Sequence, residues 1–168
     1  MHLVSKKIPW RQLMSNENEK ENGENQEFIT LLTGQQCFCI DIKLIREIRR
    51  WSPVTKLPHS PKNVLGVMNL RGAVIPIIDL SSVLGFGATD PTSRHVTIIV
   101  SLNGRINGLL VESVSEILSV DSSVIQETPK IREDETNCCI QGIVALEDDI
   151  TRIIDLSVLL NHNEKIAA

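Results

Sequence analysis

Gly66-Val67-Met68-Asn69-Leu70-Arg71-Gly72-Ala73-Val74-Ile75-Pro76-Ile77-Ile78-Asp79-Leu80-Ser81-Ser82-Val83-Leu84-Gly85 sets two apolar runs on either side of a short break at Asn69 to Gly72. Short β-branched runs joined by a glycine-containing break read as a β-hairpin, and Gly72 can supply the positive φ that a tight turn needs. The hairpin then carries Arg71 at its tip.

The pattern returns near the C-terminus. At an offset of 76 (142 minus 66), Gly142 falls on Gly66, Leu146 on Leu70, and Ile153-Ile154-Asp155-Leu156-Ser157 on Ile77-Ile78-Asp79-Leu80-Ser81. A second signature, Ile45-Arg46-Glu47-Ile48, recurs as Val114-Ser115-Glu116-Ile117 at an offset of 69 (114 minus 45). Self-similarity of this kind means one supersecondary unit used twice. The offsets differ by 7 (76 minus 69), and the polar stretch Lys130 to Asn137 is where a loop would absorb the extra residues.

Outward from the hairpin, each copy fills with short strands. Phe28 to Thr33 and Cys37 to Ile42 form a hairpin about Gly34-Gln35-Gln36, and Ile45 to Trp51 a third strand. Pro53, Pro58 and Pro61 keep Ser52 to Lys62 irregular. Gly85 to Arg94 is expected to cross between lobes. Val96 to Ser101 and Ile106 to Val111 flank Asn103-Gly104, the strongest two-residue hairpin signal in the chain. Val114 to Val120, Cys138 to Leu146 and Ile150 to Leu156 complete the second copy. Asp79 and Asp155 each precede a Leu-Ser pair at a helix start, where a carboxylate satisfies orphan N–H groups, so capping accounts for both better than catalysis does. About five short strands per copy point to an all-β chain of two small closed barrels with short helices.

A chain of 168 residues, 42% apolar, can bury a sizeable core. No run approaches the ~20 apolar residues of a membrane span. Net charge of −4, no Tyr, three Phe and two Trp argue against a nucleic-acid binder, which needs a basic face and stacking rings. Met1 to Met14 lacks the apolar core of a secretion signal, so a cytoplasmic location with reduced cysteines is expected. Residues 1–26 read as a flexible tail, its Asn/Glu-rich part too polar to order itself; the scattered apolar residues of Met1 to Met14 leave docking on a partner or membrane surface open. The folded part is expected over 27–162, with lobes at about 27–86 and 94–162, terminal segments crossing between them, and a tail at 163–168.

The runs I-R-E-I (45–48), L-P-x-x-P-x-x-V-x-G-V-x-N-L-R-G-x-V-I-P-I-I-D-L (57–80) and G-L-L-V-E-S-V-S-E-I-L (108–118) resemble the CheW family of bacterial chemotaxis coupling proteins, over roughly Glu27 to Leu160. The resemblance implies two intertwined five-stranded SH3-like barrels without catalytic activity or cofactor. It implies an adaptor in membrane-associated arrays, holding the cytoplasmic tips of methyl-accepting chemoreceptors and the regulatory domain of a CheA-type histidine kinase, with other CheW-like domains in rings. Glu47 and Arg71 match charged positions used in coupling. Ile45, Val114 and Ile117 match the interlobe groove that accepts the receptor tip, Gly66 a position sensitive in coupling, and Asn69, Leu70 and Gly72 the rest of the hairpin signature.

Core packing competes for the apolar positions, since any barrel interior holds alternating β-branched residues. Arg71-Gly72 is replaced by Glu147-Asp148 in the repeat, so folding does not require the cation at that turn; Glu47 keeps its charge as Glu116. Cys37-x-Cys39 and Cys138-Cys139 lack the two-to-four-residue spacing usual for zinc and read as free thiols. His2, His59, His95 and His162 form no metal pair, and no nucleophile or phosphate-loop motif is present. A coupling protein of a twitching or other non-flagellar pathway, a nucleic-acid-binding barrel and a small enzyme stand as alternatives at this level.

Overall fold

The computed structural model describes residues 6–8, 24–128 and 139–167. Eleven strands are present among them: β1 (Lys6–Ile8), β2 (Asn25–Thr33), β3 (Gln36–Asp41), β4 (Ile45–Arg50), β5 (Val64–Leu70), β6 (Ala73–Asp79), β7 (Val96–Leu102), β8 (Arg105–Val111), β9 (Ser113–Asp121), β10 (Ile140–Ala145) and β11 (Ile150–Ile154). Two helices follow the repeated hairpins, α1 (Leu80–Val83) and α2 (Leu156–Ala167). The all-β expectation holds, with one five-stranded sheet, β4-β7-β8-β6-β5, and one of six, β1-β9-β2-β3-β11-β10.

These orders show what intertwining means here. Hairpins β2–β3 and β7–β8 are themselves related by the offset of 69, their turns falling at Gly34-Gln35 and Asn103-Gly104. Each leaves its own copy and joins the other's strands: β7 pairs with β4 and β8 runs parallel to β6, while β2 pairs with β9 and β3 runs parallel to β11. The first barrel is therefore continuous, β4 to β8, and the second is built around it in sequence. Gly85 to Arg94 does not cross between lobes as the sequence suggests; it joins strands of one sheet, and the crossings fall at Ile42–Leu44 and Glu112. The tail boundaries shift for a similar reason. Asn25 and Gln26 already pair with β9, β1 adds to its far side, and α2 extends past residue 162. Residues 1–5, 9–23, the Lys130 to Asn137 loop and Cys138 lie outside the described residues.

The exchange creates three cores. Leu70, Ile75, Ile77 and Ile99 fill the first barrel; Phe28, Cys39, Leu118, Val120, Val144 and Ile153 fill the second. The largest cluster lies between them and draws on both, including Leu31, Phe38 and Ile40 from one hairpin and Ile98, Val100, Leu109 and Val111 from the other. Successive residues on a strand point to opposite faces, so Ile77 enters a barrel while Ile78 enters the shared core, and Ile153 and Ile154 divide likewise. That is why these strands are apolar throughout.

Among the described residues, one bridge closes each sheet. Thr55, beyond β4, exchanges backbone hydrogen bonds with Val67 at 2.8 and 2.9 Å, and Gln126, beyond β9, does so with Ile143 at the same distances. Asp79 caps α1 as expected, accepting from Ser82 N–H, and also accepts from the Thr89 N–H and hydroxyl at 2.6 and 2.8 Å, pinning the loop that follows. Asp155 accepts from Ser157 N–H at 3.0 Å.

Because the two barrels share their largest core, neither can lose its hydrophobic contacts alone. Urea unfolding followed by far-UV circular dichroism and by Trp fluorescence is expected to give coincident single transitions; two resolved transitions would mean that the barrels are separable.

Candidate functional site

The β5–β6 turn consists of Arg71 and Gly72, with φ of 51° and 86°. Both central residues are thus left-handed, the conformation of primed two-residue turns, which favour Asn-Gly. Asn103-Gly104 takes that form with φ of 51° and 78°. An arginine there is held in a region that costs a non-glycine residue of order 1 kcal/mol or more. The four-residue signature now divides by role. Asn69 Oδ1 accepts from Gly72 N–H at 2.9 Å and holds the turn. Leu70 is buried in the first barrel, Gly72 supplies the backbone, and a Cβ on it would meet nothing within 4 Å. Only the Arg71 side chain, 79% exposed, is left over.

Arg71 and Glu47, 24 residues apart, are brought together. Arg71 Nη2 donates to Glu47 Oε2 at 2.8 Å, and Arg49 Nη1 donates to Oε1 at 3.1 Å. One carboxylate, 22% exposed, thus carries two guanidinium groups. Exposed pairs of this kind contribute ~0–1 kcal/mol, comparable to the strain at Arg71, so the pair does not explain the arginine by stability. Arg49 was not among the residues singled out by sequence; its place on the face shared with Glu47 follows from β-alternation and could have suggested it. Val74, 69% exposed beside the turn, was also missed, and Ile150 holds the equivalent position in the second barrel, exposed to 56%.

The remaining candidates separate by burial. Ile45 and Val114, equivalent in the repeat, are both half-buried against the shared core, at the face between the barrels. Ile117 is 1% exposed and, in β9, is flanked by β1, so it offers a partner no side-chain surface; Leu70 offers none either. Gly66 is buried with φ of 150°, and a Cβ there would lie 2.4 Å from the Thr55 carbonyl oxygen. Its counterpart Gly142 would place one 3.0 Å from the Gln126 oxygen. The two glycines recur because each barrel closes over them.

Burial pushes the Cys39 thiol up to about 12, and burial followed by the neighbouring Asp149 raises that of Cys37. Protonated thiols are poor nucleophiles and poor metal ligands. Cys139 is buried, and no group of three or more His, Cys, Asp or Glu among the described residues is arranged to hold a metal ion.

Residues 27–164 match the family model for the CheW-like domain. The chain is 45% identical over 147 residues to the probable chemotaxis protein CheW of Rhizobium etli, covering 88% of this chain and 95% of that protein. It is 42% identical over 155 residues to the chemotaxis protein CheW of Rhizobium meliloti, covering 92% and 100%. The crystal structure of the scaffolding protein TtCheW from Thermoanaerobacter tengcongensis superposes with a TM-score of 0.74 at 27% identity, over 86% of this chain and 93% of that one.

Three substitutions separate scaffold from site. Gly66→Ala is expected to lower the unfolding free energy by roughly 2 kcal/mol and Gly142→Ala by about 1 kcal/mol, because only the former meets a backbone oxygen well inside contact distance with a left-handed φ; equal losses in urea titrations would remove the closure argument. Arg71→Asn is expected to leave stability unchanged or to raise it by about 0.5 kcal/mol, turn strain relieved against an ion pair lost. A loss above ~1 kcal/mol would make the Arg71–Glu47 pair structural.

Proposed function

The chain belongs to the CheW-like domain family, and from that premise we propose that it is a non-enzymatic coupling protein of bacterial chemotaxis, joining chemoreceptor signalling tips to the regulatory domain of a CheA-type histidine kinase. The observation that carries the proposal is the family match over residues 27–164, which takes in β3 to β11, most of β2 and the hairpin signature within them. Among the described residues no helix is long and apolar enough to cross a membrane, which suits an adaptor that reaches the cytoplasmic receptor array through its partners.

In this mechanism one barrel packs against the kinase regulatory domain, while the face between the barrels and the Arg71 turn engage the receptor tip. Ile45 and Val114 supply half-buried aliphatic surface at that face, and Arg71, Glu47 and Val74 supply a charged and apolar turn beside it. An adaptor needs rigid relative placement of its two surfaces, and a core shared by both barrels provides it: motion of the receptor is transmitted to the kinase rather than absorbed between lobes. Further CheW-like domains would extend the same contacts into rings.

The test is a pull-down with a CheA regulatory domain and, separately, a receptor signalling tip. The wild-type chain is expected to retain both. Arg71→Glu, checked for folding by circular dichroism, is expected to weaken the receptor tip at least tenfold, about 1.4 kcal/mol, and to keep the kinase domain. Wild-type protein that retains neither partner would leave family membership without this function.

A further inference from the structure

The two sheets differ at one edge. In the second barrel β1 lies along the outer side of β9, with Lys6 opposite Ser119, Lys7 opposite Leu118 and Ile8 opposite Ile117. In the first barrel β4 is the equivalent strand, and among the described residues nothing pairs with its outer side. The offset of 69 carries Ser119, Leu118 and Ile117 onto Arg50, Arg49 and Ile48. Among the described residues, one fold unit thus shows the same edge once occupied and once open.

The open edge has changed its chemistry. Arg46, Arg49 and Arg50 stand where β9 has Ser115, Leu118 and Ser119, and all three are exposed. Arg46 and Arg50 form no ion pair among the described residues, while the single acid of the strand, Glu47, is engaged by Arg49 and Arg71. The result is a basic edge on a chain of net charge −4. A second copy's β1 does not suit it, because Lys6 would oppose Arg50 and Lys7 would oppose Arg49, and like charges directly across a ladder destabilise it.

We propose that the outer edge of β4 accepts an extended acidic segment of a partner protein as an added antiparallel strand, with two consecutive acidic residues opposite Arg50 and Arg49 and a β-branched aliphatic opposite Ile48. Strand addition takes its affinity from main-chain hydrogen bonds and its specificity from the facing side chains. Charge on an edge strand can also serve to repel all pairing. The two roles make opposite predictions, and the inference rests on the edge alone, independently of the receptor and kinase reading.

The probe is a fluorescein-labelled peptide, Thr-Val-Glu-Glu-Ile-Thr-Val, titrated with the full chain at about 0.1 M salt and followed by anisotropy, beside a Lys-Lys version. The acidic peptide is expected to bind at least tenfold more tightly than the basic one. Arg49→Glu with Arg50→Glu, folded by circular dichroism, is expected to reverse that order. Methylation of alternate peptide nitrogens is tested in both phases on the wild-type chain, and one phase is expected to lose binding at least tenfold because it removes the ladder donors. No binding up to about 1 mM peptide, or binding indifferent to both methylated forms, would overturn the proposal: the first makes the arginines guards of the edge, the second makes the attraction a diffuse field.

Discussion

The exchange of hairpins β2–β3 and β7–β8 between the two copies is the constraint on which the rest of the molecule depends. Each hairpin must present one face to the interior of the barrel it joins and the other to the core between the barrels. A strand buried on both faces has no polar face to spare, so Ile98-Ile99-Val100 and Leu109-Leu110-Val111 are apolar without alternation. The same exchange leaves Gly108 beneath Ile77, whose terminal carbon would lie 2.4 Å from a Cβ there, whereas the equivalent position opposite Ile153 is Cys39. Packing between the copies is close enough to distinguish hydrogen from a small side chain.

Much of this was legible in the sequence, because the repeat fixes equivalences that no single copy reveals. Recurrence identified the closing hairpins, the capping aspartates and the paired glycines, and strand patterns placed the turns within a residue or so. The exchange itself left no local trace: a hairpin has the same alternation and turn residues whichever copy it joins, so the lobe division drawn at Gly85 to Arg94 followed the order of the chain rather than its pairing. β1 was missed for a different reason. Lys6-Lys7-Ile8 shows neither alternation nor length, and its pairing is decided by the β9 edge that receives it. The Glu47–Arg71 pair joins residues 24 apart through topology alone, and Ile117 looked like a groove residue because sequence does not show which strand edge is covered.

Near-symmetry also sharpens what departs from it. Positions alike in both copies, Gly66 with Gly142, Asp79 with Asp155, and Ile45 with Val114, are accounted for by closure, capping and the shared core. Positions that differ are free of those demands. Arg71-Gly72 against Glu147-Asp148, and Arg46, Arg49 and Arg50 against Ser115, Leu118 and Ser119, give the first barrel a cationic turn and a cationic β4 where the second has an acidic turn and an arginine-free β9. Two barrels of one architecture therefore present different chemistry at corresponding places.

The energetic scale of the Arg71 turn supports the same division. A tight hairpin is most stable with Asn or Gly where the backbone is left-handed, and the chain uses Asn at the matching turn, Asn103. Retaining Arg71 costs turn energy that a surface ion pair of ~0–1 kcal/mol barely returns. A pair so weak can be exchanged: a carboxylate on a docking protein can take the guanidinium from Glu47 with little loss, and Arg49 remains to satisfy the acid. The strained turn thus presents a cation at the rim of a rigid barrel without a matching gain in the fold's stability.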